Sequence, residues 1–247
     1  MSKPVVLMVH GLVGSLEYFD PASRIGCARV HACDLPGYGA LRGAGGGVLS
    51  LRGHAAHIVA LLRSLGRPEA WILGHSMGGA TAMLAVDQAP ELFTGIINVE
   101  GNFTPEDAFW SRQIADLPPE QWAGEYHRME AAPEAWLTRW GVEPTPVRVE
   151  WAERILRNQP AETVATMARA IVKETAEPGF PEAVRRVVAR GLPLHLIAGQ
   201  RSGGNWNVPG FVREAAASYA EQPGAGHLMM LEDPAEFCRL VDACLSA

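Results

Sequence analysis

Short apolar runs bounded by glycine, proline or aspartate recur along the chain at 5–9 (VVLMV), 28–33 (ARVHAC), 70–73 (AWIL), 95–99 (GIINV) and 193–198 (PLHLIA). Runs of this length predict strands of a parallel sheet buried on both faces. Helical spacing lies between most of them, as in Ile58, Leu61, Leu62 and Leu65, or Ala82, Leu84, Ala85 and Val86. Strand and helix in alternation predict an α/β fold, a mostly parallel sheet flanked by helices. A last helix is announced by Asp233 as cap, Pro234 at the first helical position and Glu236 three residues after the cap. Its inward stripe is Phe237, Leu240, Val241 and Cys244.

That rhythm breaks between 102 and 192, a stretch rich in helix formers and prolines and long for any crossover. It predicts a helical lid inserted between two parts of one core, 1–101 and 193–247. Five of the seven tryptophans fall in the lid: Trp110, Trp122, Trp136, Trp140 and Trp151. Trp136 and Trp140, four residues apart on a helix, suit packing of the lid onto the core, whereas Trp110 and Trp151 are candidates to line an apolar pocket beneath it.

Composition narrows the function classes. A chain of 247 residues, 48% hydrophobic and 19% charged, can bury one large core. A formal charge of −6 and the lack of a Lys/Arg run argue against nucleic acid or an anionic membrane as partner. The N-terminal apolar run is too short for a signal peptide or a membrane span, so a cytoplasmic location is expected. Cys27, Cys33, Cys238 and Cys244 have no C-x-x-C spacing and read as reduced residues of the interior, with no metal site. The glycines of "GAGGG" (43–47) neither follow a strand directly nor open a helix, so they read as a surface loop and not as a phosphate cradle.

The chemistry concentrates in "WILGHSMGGATAML", where Ser76 stands in G-x-S-x-G between an apolar strand and a helix-forming run. In such an elbow the serine sits on a strained strand-to-helix turn, and small flanking residues let the backbone close around it. Three further segments follow the same plan: "LMVHGLVGS" after the first strand, "CDLPGYG" after the second, and "GAGHLMMLEDPAEF" before the last helix. Together they resemble the α/β-hydrolase superfamily over most of the chain. The resemblance implies Ser76 as nucleophile, His227 as general base, and the backbone N–H groups of Leu12 and Met77 as the oxyanion hole. His10 reads as a residue that structures its loop. His75, next to Ser76 on a strand, is expected to point away from it, and His54 and His57, three apart on one helical face, to be solvated. The strands that usually precede the His-Gly strand have no room here, so one sheet edge is expected to be shortened.

One departure concerns the triad acid. In most of the superfamily it closes the penultimate strand in G-x-x-D, and "IAGQRS" puts Ser202 at that place. A serine cannot stabilise an imidazolium as a carboxylate does. The replacement favoured by position is Glu100 in "GIINVEGNF", directly after the strand that follows the nucleophile helix, where strand ends face the ligand crevice. Haloalkane dehalogenase-like and zearalenone lactonase-like members are similar in carrying an acid there. Glu106 and Asp107 read as the start of a lid helix, and Glu232 and Asp233 as the capping pair of the last one. Asn102 and Phe103, just past Glu100, and Asn205 and Trp206, in the loop freed of its acid, are candidate substrate contacts.

The resemblance thus implies a cofactor-independent serine hydrolase acting on a small-molecule carboxylic ester or lactone with an apolar or aromatic group. C–C bond or thioester hydrolysis on the same triad, or a small-ligand receptor on a hydrolase scaffold, remain alternatives. Serine in the elbow disfavours haloalkane dehalogenation, which needs a carboxylate nucleophile.

Overall fold

The computed structural model describes residues 3–45, 48–66 and 69–246. Six parallel strands form one sheet in the order β2-β1-β3-β4-β5-β6. They are β1 (Val5–Val9), β2 (Arg29–Cys33), β3 (Ala70–His75), β4 (Phe93–Val99), β5 (Leu194–Gly199) and β6 (Ser218–Gln222). Five of them lie where the apolar runs predict. β6 (SYAEQ) was not predicted: it is an edge strand, mostly half-buried, so it carries no apolar run.

The central strands read as unbroken apolar runs because successive side chains serve two interiors. Val5, Leu7 and Val9 join one apolar cluster, while Val6 and Met8 join the other. The first cluster is completed by α2 (Leu51–Ser64), α3 (Met77–Gln88), α8 (Ala161–Ala176) and α9 (Gly179–Ala189). Among the helices completing the second is α12 (Pro234–Ser246), capped as predicted by Asp233 Oδ1, which accepts from the N–H groups of Ala235 and Glu236. Glu236 itself pairs with Arg239 and does not return to the cap.

One expectation needs correction here. His54 is fully buried: it lies on the inward stripe of α2 with Leu51, Ala55, Ile58 and Leu62, and its Nε2–H donates to Pro36 O at 3.0 Å. Burial holds its pKa down at about 3, so the ring is neutral. The helices between β4 and β5 differ in what they pack against. α4 (Phe109–Ala115), α5 (Pro119–Ala131), α6 (Pro133–Arg139) and α7 (Pro146–Arg157) precede α8, which packs on α4, α5 and α2, whereas α9 packs against α3 in the layer flanking the sheet.

All four cysteines are free, Cys238 and Cys244 buried, Cys27 and Cys33 half-buried. Of the glycine-rich stretch 43–47, Gly46 and Gly47 lie outside the described residues. No described helix is long and apolar enough to cross a membrane.

Candidate active site

Ser76 occupies the single residue between β3 and α3, at φ 54° and ψ −121°. For a side chain other than glycine this left-handed backbone is strained, at a cost of about 1–3 kcal/mol, and persists only where its surroundings hold it. Here the Ser76 N–H donates to Val99 O at 3.0 Å, and its carbonyl accepts from Gly79 N at 2.9 Å and Asn102 N at 3.2 Å. The flanking glycines are steric necessities: a Cβ on Gly74 would meet the carbonyl of Gly78, and one on Gly78 the carbonyl of Val9. The spacing G-x-S-x-G is therefore the price in side-chain volume of bringing β1, β3 and α3 together under one turn.

Glu100 is the first residue past β4 and has a left-handed φ of 41°. Its N–H donates to Ile197 O at 3.1 Å, which ties the turn to β5. The carboxylate is buried. Its Oε2 lies 2.6 Å from His227 Nδ1, while Oε1 accepts from Gly199 N at 2.8 Å and from Ser202 Oγ at 2.6 Å. Burial alone would push the carboxyl pKa up, but the hydrogen bond and charge of His227 and the donations from Ser202 and Gly199 outweigh it, and the net shift is downward. The acid is ionised and points at the ring nitrogen that fixes the tautomer. That assignment leaves Nε2 as the basic nitrogen of His227, beside the cavity the ring shares with Ser76.

His75 departs from its expected orientation. Its ring lies 4.7 Å from that of His227, centroid to centroid, and its Nε2–H donates to the His227 carbonyl at 2.9 Å. Strand alternation does not separate His75 from its neighbour because Ser76 has already left the strand. Burial first, then the nearby His227, hold the His75 pKa at about 3, so it serves as a neutral donor that anchors the His227 backbone.

The loop after β1 is held by four side chains, one of them Asn158, whose Nδ2 donates to Gly14 O at 3.0 Å. His10 Nδ1–H donates to Gly11 O at 2.8 Å, and because Gly11 O and Leu12 N–H belong to one peptide plane, this sets the direction of the Leu12 donor. Burial keeps His10 neutral, its pKa at about 4. Tyr38, from the "CDLPGYG" turn, donates to Leu12 O at 2.9 Å, and Gln159 Oε1 accepts from Gly14 N at 2.9 Å. Met77 N–H, the other group expected in an oxyanion hole, belongs to the first residue of α3, where a helix leaves such groups without an intrahelical partner. Neither Tyr38 nor Gln159 could be found from spacing, since each acts on a backbone distant in sequence.

A cavity of about 550 Å³ holds Ser76 and His227 together with Asn102, Trp110, Trp136 and Trp140. Trp136 and Trp140, assigned by spacing to packing, thus belong to its wall. Trp140 sits edge-on to Trp110 at 5.3 Å and 5.9 Å from the His227 ring. A second space of about 930 Å³ lies on the acid side, lined by Glu100, Ser202, Asn205, Trp206, Trp140 and His227 among others. Phe103 lies behind it, buried and stacked on Trp206 at 5.8 Å. Trp151 is elsewhere, packed against Tyr18 at 5.6 Å, and lines neither space. Asp107 closes a capping box with Thr104 ahead of α4, as the start of a helix should.

Known proteins place the chain further. One curated relative, a 2-succinyl-6-hydroxy-2,4-cyclohexadiene-1-carboxylate synthase from Salmonella paratyphi C, is 28% identical, with 94% of this chain and 90% of that protein covered. Among solved structures, a thermophilic esterase from Thermogutta terrifontis, determined with malate bound, superposes with a TM-score of 0.75 at 22% identity, covering 99% of this chain and 90% of that one. The N-acyl homoserine lactonase AidH superposes with a TM-score of 0.69 at 22% identity, covering 98% and 89%. These two likenesses concern the fold. The family model of the alpha/beta hydrolases matches residues 6–240, and the chain belongs to the alpha/beta hydrolase family.

Proposed function

We propose that the protein is a serine hydrolase that cleaves a small carboxylic ester or lactone carrying an apolar or aromatic group, without a cofactor. The observation that carries this reading is the 2.6 Å pair between Glu100 Oε2 and His227 Nδ1, in a ring that shares its cavity with the elbow serine. In this reading Ser76 Oγ attacks the carbonyl carbon as His227 Nε2 takes the hydroxyl proton. The oxyanion accepts hydrogen bonds from Leu12 and Met77 N–H, and Glu100 stabilises the imidazolium. His227 returns the proton to the leaving alkoxide, which departs as the alcohol; water then attacks the acyl-enzyme by the same path and releases the acid. The tryptophans around Ser76 supply apolar contact area for the acyl or alcohol group. The helical insertion 102–192 forms the lid over this cavity, with Trp110 of α4 and Trp136 of α6 facing it.

The test is hydrolysis of a panel of p-nitrophenyl esters and lactones, with covalent labelling of Ser76 by a fluorophosphonate. Ser76→Ala should abolish both. Mass addition of an acyl group after rapid quenching identifies the intermediate.

A second reading rests on the curated relative, whose name describes formation of a cyclohexadiene carboxylate and not ester hydrolysis. The same groups can remove a proton next to a carbonyl and hold the resulting oxyanion, with no acyl-enzyme. Turnover that requires Ser76 yet never accumulates an acyl adduct would favour that reading.

A further inference from the structure

Glu100 reaches His227 from a neighbouring strand by a side chain with three rotatable bonds, so something must choose which way its carboxylate faces. Oε2 is committed to His227, and the other oxygen meets two donors from the end of β5, Gly199 N–H at 2.8 Å and Ser202 Oγ at 2.6 Å. A serine hydroxyl has one proton. Its alternative acceptor, Gly199 O, is 3.4 Å away, and an ionised carboxylate can only accept, so the proton goes to Glu100. A separation of 2.6 Å is that of a charge-assisted O–H···O⁻ bond.

Resting on the triad reading above, we propose that Ser202 is a positioning residue for Glu100. Its hydroxyl and the Gly199 N–H clamp Oε1, and the clamp turns Oε2 toward His227. Where most relatives are expected to carry the acid itself, this chain carries the donor that orients an acid from the adjacent strand. The clamp works on a rotor: with one donor left, the carboxylate keeps its place but loses the restriction about its last bond.

Among the described residues, charged or titratable groups around Glu100 and Ser202 include His227 from the loop before α11 (Met229–Glu232), His75 from β3, Asp107 ahead of α4, Arg139 at the end of α6 and Arg201 beside Ser202. Arg201 is bound to Glu232 at 2.9 Å. None of them replaces the hydroxyl within hydrogen-bond reach of Oε1.

The experiment compares wild type, Ser202→Ala, Ser202→Thr and Glu100→Gln. Each is assayed from pH 4 to 9 with p-nitrophenyl butyrate and by the rate of fluorophosphonate labelling, with thermal melts as a check on folding. Loss of one hydrogen bond to a charged group predicts a fall in kcat of about tenfold for Ser202→Ala at unchanged KM. An ionised carboxylate that loses a donor takes up a proton at higher pH, so the acid limb of kcat/KM should move upward. Ser202→Thr, which keeps the hydroxyl, should stay near wild type in both.

Ser202→Ala with wild-type kcat and an unmoved acid limb would overturn the assignment, as would equal losses in the alanine and threonine variants with no change in pH profile. Those results beside an inactive Glu100→Gln would remove Ser202 alone. A fully active Glu100→Gln would remove the triad reading, and the role of Ser202 with it.

Discussion

The ends of β4 and β5 lie side by side, with Val99 paired to Ile197, yet they do opposite work. β4 ends in a carboxylate directly after its last residue, on a strained backbone. β5 ends in a glycine, and its loop brings only a backbone N–H and a hydroxyl. The two ends meet on one carboxylate, which Glu100 supplies and to which Gly199 and Ser202 donate. The lesson is that a triad needs an acid at a point in space, and either of two adjacent parallel strands can deliver it. The longer reach of glutamate suits the more distant origin, at the cost of an extra torsion that has to be held.

Glu100→Gln breaks the β4 side of this comparison most severely. It keeps the shape, removes the charge and permits the wrong tautomer, so kcat should fall by about 10⁴-fold with KM little changed. Steady-state assays on the ester panel check this, and activity within tenfold of wild type would end the assignment. Gly199→Ala breaks the β5 side. Its Cβ would run into the carbonyls of Ala225 and Gly226, just ahead of His227. Overpacking of that kind costs roughly 1–3 kcal/mol of stability, read by urea melts. Displacing the catalytic loop by an ångström should cost about 100-fold in turnover.

The third prediction sets the ionised acid against the neutral histidines behind it. His10, His54 and His75 have folded pKa values lowered to about 4, 3 and 3, below their value of about 6.5 when unfolded. Between those limits the unfolded chain binds the protons, so stability is lost as pH falls from about 6.5 towards 4, by at most about 1.4 kcal/mol per unit for each ring. Glu100, shifted downward, contributes stability that begins to be lost only as pH falls through the ordinary carboxylate value, that of the unfolded chain. Melting temperatures at pH 7, 6 and 5 should therefore decline, and less steeply in His54→Gln. A flat profile over that range would refute buried neutral rings. The smallest effect belongs to Trp151→Phe, which should leave kcat and KM unchanged and lower stability by about 1 kcal/mol. A Trp110→Ala variant measured beside it should raise KM for aromatic esters, separating wall from packing.

Much of this was legible in the chain. The four inner strands follow from apolar runs because strands buried on both faces leave little room for polar positions; the edge strands β2 and β6 face no such demand, and of the two only β2 carries a short apolar pattern, so β6 escaped. The elbow was legible because two close backbone approaches allow no Cβ at Gly74 or Gly78. Glu100 was legible by position alone: the first residue after a central strand faces the crevice. His54 was misread even though it falls on the stripe Leu51, Ala55, Ile58, Leu62, since a histidine was weighed by its polarity and not by its register. His75 was misread because alternation was carried one residue past the end of the strand.

The sequence by itself determined the fold class, the family and the strand-to-helix turn that holds Ser76, since each depends on local periodicity or on glycines demanded by short-range geometry. It also left Ser202 as a residue lacking the chemistry of its usual counterpart. Only the tertiary structure decided what that serine does, which tryptophans face Ser76, and how Tyr38, Gln159 and His10 set the oxyanion loop. Those contacts join residues far apart in the chain, and hydrogen-bond geometry exists only once the strands that carry its partners lie side by side.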